Sequence, residues 1–317
     1  MSKNNEEKSF KSKIGGQALI EGIMMRGIDK AAMACRLPDG TIDLEEWPIR
    51  NGKTAPWYTK VPFVRGCFNF VITMKDGIKC TMKSAEKQMT EDDAEEELSP
   101  FEKWLTDKFG EKLVSVIMII SVVVALVLAL VVFKGAPVLA ANLLTKAGAP
   151  ESIRPISEGF IRLILLVGYM YLVSLTASMK TTFMYHGAEH KTIACYEARK
   201  ELTVENIKEC SRFHPRCGTS FILIVLLIGI IVGIFLPREN MWVRFGLQML
   251  CLIPEASVSY ELIKLAGRYD NIFTKIISAP GLWLQRITTR EPNEKQIEVA
   301  VAALTPCLPK DSADDKW

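Results

Sequence analysis

The chain predicts an α-helical polytopic membrane protein with four transmembrane helices and a small α+β cytoplasmic unit at its amino terminus. Of its 317 residues 49% are hydrophobic, and its mean hydropathy of +0.16 lies above zero, where soluble chains of this size seldom sit. Leu113 to Phe133 and Thr219 to Leu236 contain no charged residue over 21 and 18 positions. At about 1.5 Å of rise per residue, each is helix enough to cross a hydrocarbon layer of about 30 Å. The third observation is a strand-rich pattern over residues 14–60, ahead of either apolar run.

Charge and cysteine content narrow the function classes. Lys+Arg 39 against Asp+Glu 36 leaves +3, so no charge excess argues for nucleic acid as a partner. The eight cysteines are thinly spread with no CxxC pair, which suits reduced thiols facing a cytosol better than a disulfide framework. The opening MSKNNEEKSFKSK has no apolar core, so no cleavable signal peptide is expected.

Residues 1–13 read as a flexible amino terminus, and 14–89 as a cytoplasmic unit of β-hairpin and amphipathic helix. Ala31 to Leu37 and Thr41 to Trp47 flank Pro38-Asp39-Gly40, a turn tripeptide, and so predict the hairpin. Val61 to Met89 intersperses Phe63, Phe70, Ile72, Met74, Ile78 and Met82 with Arg65, Lys75, Lys79, Lys83 and Lys87. That is a basic amphipathic helix, suited either to an anionic leaflet or to covering the hairpin. Residues 90–100 carry six acids without apolar periodicity and form an acidic linker.

The membrane domain spans 101–278. Beyond the two charge-free runs, Phe160 to Met179 holds only Arg162, placed near its start where it can snorkel. Trp242 to Leu265, the predicted fourth span, carries Arg244, Glu255, Glu261, Lys264 and an internal Pro254. The loop at 180–218 holds Lys180, Lys191, Arg199, Lys200, Lys208, Arg212 and Arg216, against three cations between Lys134 and Gly159, so it and both termini face the cytoplasm. In the segment 279–305, Leu282, Trp283 and Leu284 suit an interfacial anchor, and Pro292 starts a helix whose Ile297, Val301 and Leu304 share a face toward the amino-terminal unit. Residues 306–317 form a tail.

All three histidines, His186, His190 and His214, fall in the 180–218 loop. His186-Gly187-Ala188-Glu189-His190 has the H-x-x-E-H form, which on a helix turns both imidazoles to one face with Glu189 beside them. Two ligands for a divalent metal, with zinc the first choice, and a general base are thereby supplied. His214 and Glu261 are the candidates for the third ligand, and Arg212 and Arg216 for stabilising developing negative charge. Cys195, Cys210, His214 and Cys217 offer a rival, closed structural zinc site. Gly15-Gly16-Gln17 matches the tripeptide of peptide-chain release factors, but two glycines before an apolar run more often mark a turn or a close backbone approach. Glu21 and Arg26 are candidates for an ion pair or a polar wall, with an ordinary surface acid the favoured reading of Glu21.

The strings IGGQALIEGIMMRG, HGAEHKTIACYE, RFHPRCGTSF and SAPGLWLQRITTREP resemble the bacterial membrane family known as domain of unknown function 1385, the YqhQ-type proteins. The resemblance covers most of the chain and implies a predicted metal-dependent enzyme of the inner membrane. It carries over His186, Glu189, His190, His214 and Cys217, and no substrate; Glu261, in SYELIK, lies in a less distinctive similar string. The expected function is a metal-dependent hydrolase at the cytoplasmic face, acting on a membrane-proximal peptide or a lipid phosphoester. The alternative is a non-catalytic membrane scaffold or regulator, with or without structural zinc.

Overall fold

A computed structural model describes residues 10–49, 56–88, 111–237, 240–269 and 271–309. The acidic linker, the amino terminus before residue 10 and the tail from 310 lie outside the described residues. The chain divides into two compact units, the first formed by residues 1–88, 169–225 and 253–317 and the second by 89–168 and 226–252.

The first unit is built on a four-stranded antiparallel meander, β1 (Gly15–Leu19), β2 (Gly22–Arg26), β3 (Lys30–Arg36) and β4 (Ile42–Pro48), in that order across the sheet. The expected hairpin is β3–β4. Gly40 takes φ +88°, and Asp39 Oδ1 accepts from the Thr41 N–H at 2.8 Å. The β1–β2 connection is tighter and uses no glycine, since Glu21 itself adopts φ +47°.

Both faces of the sheet are covered, which explains the unbroken small and apolar run of β3, Ala31 to Cys35, all buried. One face holds Leu19, Met24, Met33 and Cys35 against Cys80 of α1 (Val64–Glu86). The other holds Ile23, Met25, Ala32 and Ala34 against Tyr185 and Ala188 of α5 (Ala177–Glu197) and Val299, Ala300 and Ala303 of α10 (Glu294–Leu304). The α10 helix starts on a capping box between Asn293 and Gln296 and buries Ile297 and Leu304, as its sequence pattern predicts.

The predicted amphipathic helix is α1, and it covers the sheet. Gly77 lies where a Cβ would strike Gln17, Arg26 pairs with Asp76 at 2.7 Å, and Lys83 pairs with Glu45 at 2.6 Å. Its opposite face leaves Val64, Phe68, Val71, Met74, Ile78 and Met82 exposed. Toward residues 253–268, Gly66 packs against Ser257 and Tyr260, and Asn69 donates to the Tyr260 hydroxyl at 3.0 Å.

Of the second unit, α2 (Glu111–Leu130) runs through a π-turn at Val131–Gly135 into α3 (Ala136–Lys146). The wider turn accommodates Pro137, which has no N–H to give. The connection expected from Lys134 onward is therefore helical to Lys146. The remaining helices are α4 (Arg154–Ser174), α6 (Val204–Glu209), α7 (Gly218–Phe235), α8 (Met241–Arg268) and α9 (Ile272–Thr288); the expected interfacial segment at 279–288 is the second half of α9.

Three helices, not four, are long and apolar enough to cross a membrane among the described residues: Val123–Lys146, Glu151–Ser174 and Gly218–Phe235. The predicted fourth, within α8, has the length but, with its charges and Pro254, not the mean hydropathy of the other three. Those charges are partnered. Arg244 is completely buried, with Nε 2.7 Å and Nη2 2.8 Å from the Glu158 carboxylate and further bonds to the carbonyls of Gly233, Leu236 and Pro237. Gln248 donates to Glu158 at 3.0 Å. Arg162 does not snorkel; it is buried and donates to Gln248 Oε1 at 2.9 Å, because a carbonyl acceptor lies one helix away.

Candidate metal centre

The H-x-x-E-H residues lie on α5, a helix buried on several sides. Gly187 makes this packing possible: a Cβ there would run into the Arg290 carbonyl oxygen, in the extended stretch after α9. The Arg290 N–H donates to the Phe183 carbonyl at 2.8 Å, fastening that stretch along α5.

This contact brings the carbonyl of Thr288, at the end of α9, to His186. Nδ1 of His186 lies 2.8 Å from that oxygen, and Nδ1 of His190 lies 2.6 Å from the Arg212 carbonyl. A carbonyl can only accept, so both Nδ1 atoms carry the proton and donate, which leaves both Nε2 atoms as the metal-binding positions. Nε2 of His186 is 3.1 Å from Cys217 Sγ, and Nε2 of His190 is buried with no hydrogen-bond partner among the described residues. The donor atoms of His186, His190 and Cys217 all lie within 4.8 Å of one another. Two imidazoles and a thiol at this spacing, each imidazole fixed by a backbone carbonyl, could hold a metal ion and leave a fourth position open.

Electrostatics favours a thiolate beside an imidazolium here, so a metal bound at Nε2 of His186 would displace that nitrogen's proton. Burial would raise the Cys217 thiol, but His186 and His190 outweigh it and hold it well below the ordinary thiol range. Burial works against charge on His186 as well, yet the Cys217 sulfur and Glu189 raise it to about 9. Glu189 is buried beside them, and burial lifts its carboxyl above the usual range against the pull of the two histidines. The Gly16 N–H donates to this carboxylate, and a Cβ on Gly16 would come within 3.0 Å of Glu189 Cδ, so the tandem glycine marks a close backbone approach. Glu189 Oε2 has no hydrogen-bond partner among the described residues.

The other predicted site residues lie elsewhere. Glu261 is not a third ligand: its carboxylate takes both Nε and Nη2 of Arg65 and the Phe63 N–H. His214 lies beside the cluster, its ring 5.6 Å from that of His190, but Nε2 faces Glu197 Oε2 at 3.7 Å and Arg216 Nη2 at 3.1 Å. Arg216 is bound to Glu197 and to the Ser12 carbonyl, and Arg212 donates to the Thr289 carbonyl at 3.0 Å, so neither guanidinium is turned on the cluster.

The closed cysteine set does not assemble. Cys195 and Cys210 pack around Ile207, donating to the Glu201 and Asn206 carbonyls, while Cys217 stands with the histidines. Burial, with Cys210 next to it, pushes the Cys195 thiol up to about 12, the opposite of Cys217. Glu21 accepts from the Tyr185 hydroxyl at 3.0 Å, and Arg26 pairs with Asp76 rather than with Glu21.

The chain thus combines three helices long and apolar enough to cross a membrane with a His-His-Cys group that could hold a metal ion, its two histidines on a helix packed against a small sheet. The chain belongs to the family described as "Protein of unknown function (DUF1385)", whose model matches residues 61–310. It is 35% identical over 300 residues to the "Uncharacterized protein YqhQ" of Bacillus subtilis (strain 168), covering 93% of this chain and 92% of that one. No solved structure matches it.

Proposed function

We propose that this protein is a metal-dependent hydrolase of the bacterial inner membrane, with its site at the cytoplasmic face. The observation that carries the reading is the pair of Nδ1–carbonyl hydrogen bonds, which leave both Nε2 atoms for a metal beside Cys217. A zinc ion held by His186, His190 and Cys217 would supply an acidified water at its fourth position. Glu189 is the general base: burial raises its carboxyl above the usual range, which favours proton uptake, and Oε2 has no hydrogen-bond partner among the described residues. In hydrolysis of a membrane-proximal peptide, the water oxygen bonds to the acyl carbon, the C–N bond breaks, and Glu189 passes the proton to the leaving nitrogen.

The topology follows from one shared core. The sheet, α5 and α10 bury their apolar residues together and so lie on one side of the bilayer. With two candidate crossings before α5 and α7 a third after it, this reading has α8 return the chain before α10, although α8 falls short of the other three in apolarity. Its buried charges are met by partners rather than by lipid. The cationic 180–218 segment supports reading this side, with both termini, as cytoplasmic. The exposed apolar face of α1 lies on the cytoplasmic leaflet, since Phe70 packs on Phe221, at the start of α7, with ring centroids 5.3 Å apart.

Metal analysis of the purified protein tests the site. Wild type should carry one equivalent of zinc; His186→Ala, His190→Ala and Cys217→Ala should lose it, while Cys195→Ala and Glu261→Gln keep it. A metal-free wild type, or full retention in Cys217→Ala, defeats the reading. Glu189→Gln should keep the metal and lose peptide hydrolysis; activity equal to wild type would reduce the centre to a structural one.

A further inference from the structure

The helix α9 is amphipathic in the sense opposite to that of a helix on a water-soluble protein. Its buried residues are Thr274, Ser278, Gly281, Leu284, Gln285 and Thr288, of which only Leu284 is a large apolar side chain. The far side carries Ile272, Phe273, Ile276 and Trp283, each more than half exposed. By helical spacing the two sets fall on opposite faces. Small and polar residues inward with large apolar residues outward is how helices pack within lipid, where close approach and hydrogen bonds join them and the medium takes the apolar face. In water the order is the reverse. The helix α1 repeats the inversion, burying Gly66, Gly77, Cys80 and Ser84 beneath its exposed apolar stripe.

The inward contacts fix the level at which α9 lies. Gly281 sits against the first turn of α7, where a Cβ would run into Ser220 Oγ, and Gln285 Nε2 donates to the same oxygen at 3.1 Å. The next residue of α7, Phe221, meets Phe70 of α1. Both inverted helices therefore abut the start of a helix long and apolar enough to cross a membrane. The 17 residues of α9 extend about 25 Å, short of a hydrocarbon layer of about 30 Å, which suits a helix lying on the leaflet rather than crossing it. Trp283, an apolar ring with one N–H donor, is a residue of the membrane–water boundary.

We propose that α9 seats the first unit on the cytoplasmic leaflet, with Ile272, Phe273, Ile276 and Trp283 among the headgroups and upper acyl chains, its partner a lipid surface. From the other face of the same helix, the Thr288 carbonyl reaches His186 and Gln285 holds His214 at both its N–H and its carbonyl, each at 2.8 Å. The helix that rests on lipid thus also sets one edge of the histidine cluster.

The full chain, reconstituted in vesicles of phosphatidylcholine and phosphatidylglycerol, can carry a nitroxide at Ile276→Cys or Trp283→Cys, with the signal of labelled wild type subtracted. Both labels should collide more with oxygen, which concentrates in lipid, than with a water-soluble nickel chelate. A label at Glu209→Cys, on an exposed side chain of α6, should show the reverse order. Nickel access at 276 and 283 equal to that at 209 overturns the proposal. So does exclusion of both reagents with spin–spin broadening, which would place a second copy of the chain on this face. Vesicles of lipid brominated on the upper acyl chain give a second measurement, since bromine should quench tryptophan fluorescence in wild type more than in Trp283→Phe. That exchange of ring for ring decides the matter if the cysteine variants do not fold, and equal quenching in the two proteins overturns the seating. Neither measurement requires zinc, so a metal-free protein would end the hydrolase reading and leave this one standing.

Discussion

The two units each bury a polar cluster, and they treat it in opposite ways. Around Arg244 every guanidinium nitrogen donates and both Glu158 oxygens accept, from Arg244 and from Gln248. Around His186, the His190 Nε2 and Glu189 Oε2 atoms are buried with no hydrogen-bond partner among the described residues. The saturated Arg244 side chain joins helices; the open acceptor atoms of His190 and Glu189 can take a metal ion or a proton.

The largest test of this contrast is Glu158→Ala, which leaves Arg244 buried without its counter-charge and should cost about 3–5 kcal/mol of unfolding free energy in micelles. The double variant Glu158→Leu with Arg244→Met should recover most of that. A loss below about 1 kcal/mol in the single variant would erase the distinction between the clusters. Next, Cys217→Ala should weaken zinc affinity by more than about 100-fold, beyond the range of a supporting contact, while shifting metal-free stability by less than about 1 kcal/mol. A large loss of metal-free stability would instead mark this cluster, too, as structural.

Gly187→Ala probes the support behind the ligands. Pushing the Arg290 carbonyl away moves the Thr288 carbonyl off His186, and zinc affinity should fall about 10–100-fold with all three ligands intact. Unchanged affinity would mean the carbonyl does not orient the ring. The smallest effect is at Glu197, at the rim of the cluster. Burial raises its carboxyl, but His214 and Arg216 outweigh it and hold it below the ordinary 4.5. Its stabilisation is therefore complete above that value and lost as pH falls through the lower, folded-state value. Glu197→Gln should cost about 1 kcal/mol at pH 7 and nothing once the wild-type carboxyl is protonated. A deficit that persists at pH 2 would assign the loss to packing.

Legibility in the sequence followed the locality of the signal. The β3–β4 hairpin was readable because Pro38, Asp39 and Gly40 state the turn, whereas β1–β2 turns at Ile20-Glu21, which carries no turn residue. His186, Glu189 and His190 share a face by helical spacing alone. Cys217, 27 residues beyond His190, joins them only through tertiary packing, and no spacing rule picks it over His214. The carbonyls of Thr288 and Arg212 are backbone atoms and leave no mark in residue type. The charges of α8 are plain in the sequence, but that Glu158 of α4 would take Arg244, and Gln248 of α8 would take Arg162 of α4, is not, so the sequence assigns Arg162 to snorkelling.

Cys217 immediately precedes Gly218, where the apolar α7 begins, while His186 and His190 belong to a helix rooted in the sheet core. The sulfur thus adjoins a helix apolar enough to cross a membrane, and the two rings belong to a helix packed on the sheet. A water-soluble version made by trimming away the greasy helices would keep the rings in register and set the sulfur adrift, so the centre can be assembled only in protein that retains its hydrophobic core segments.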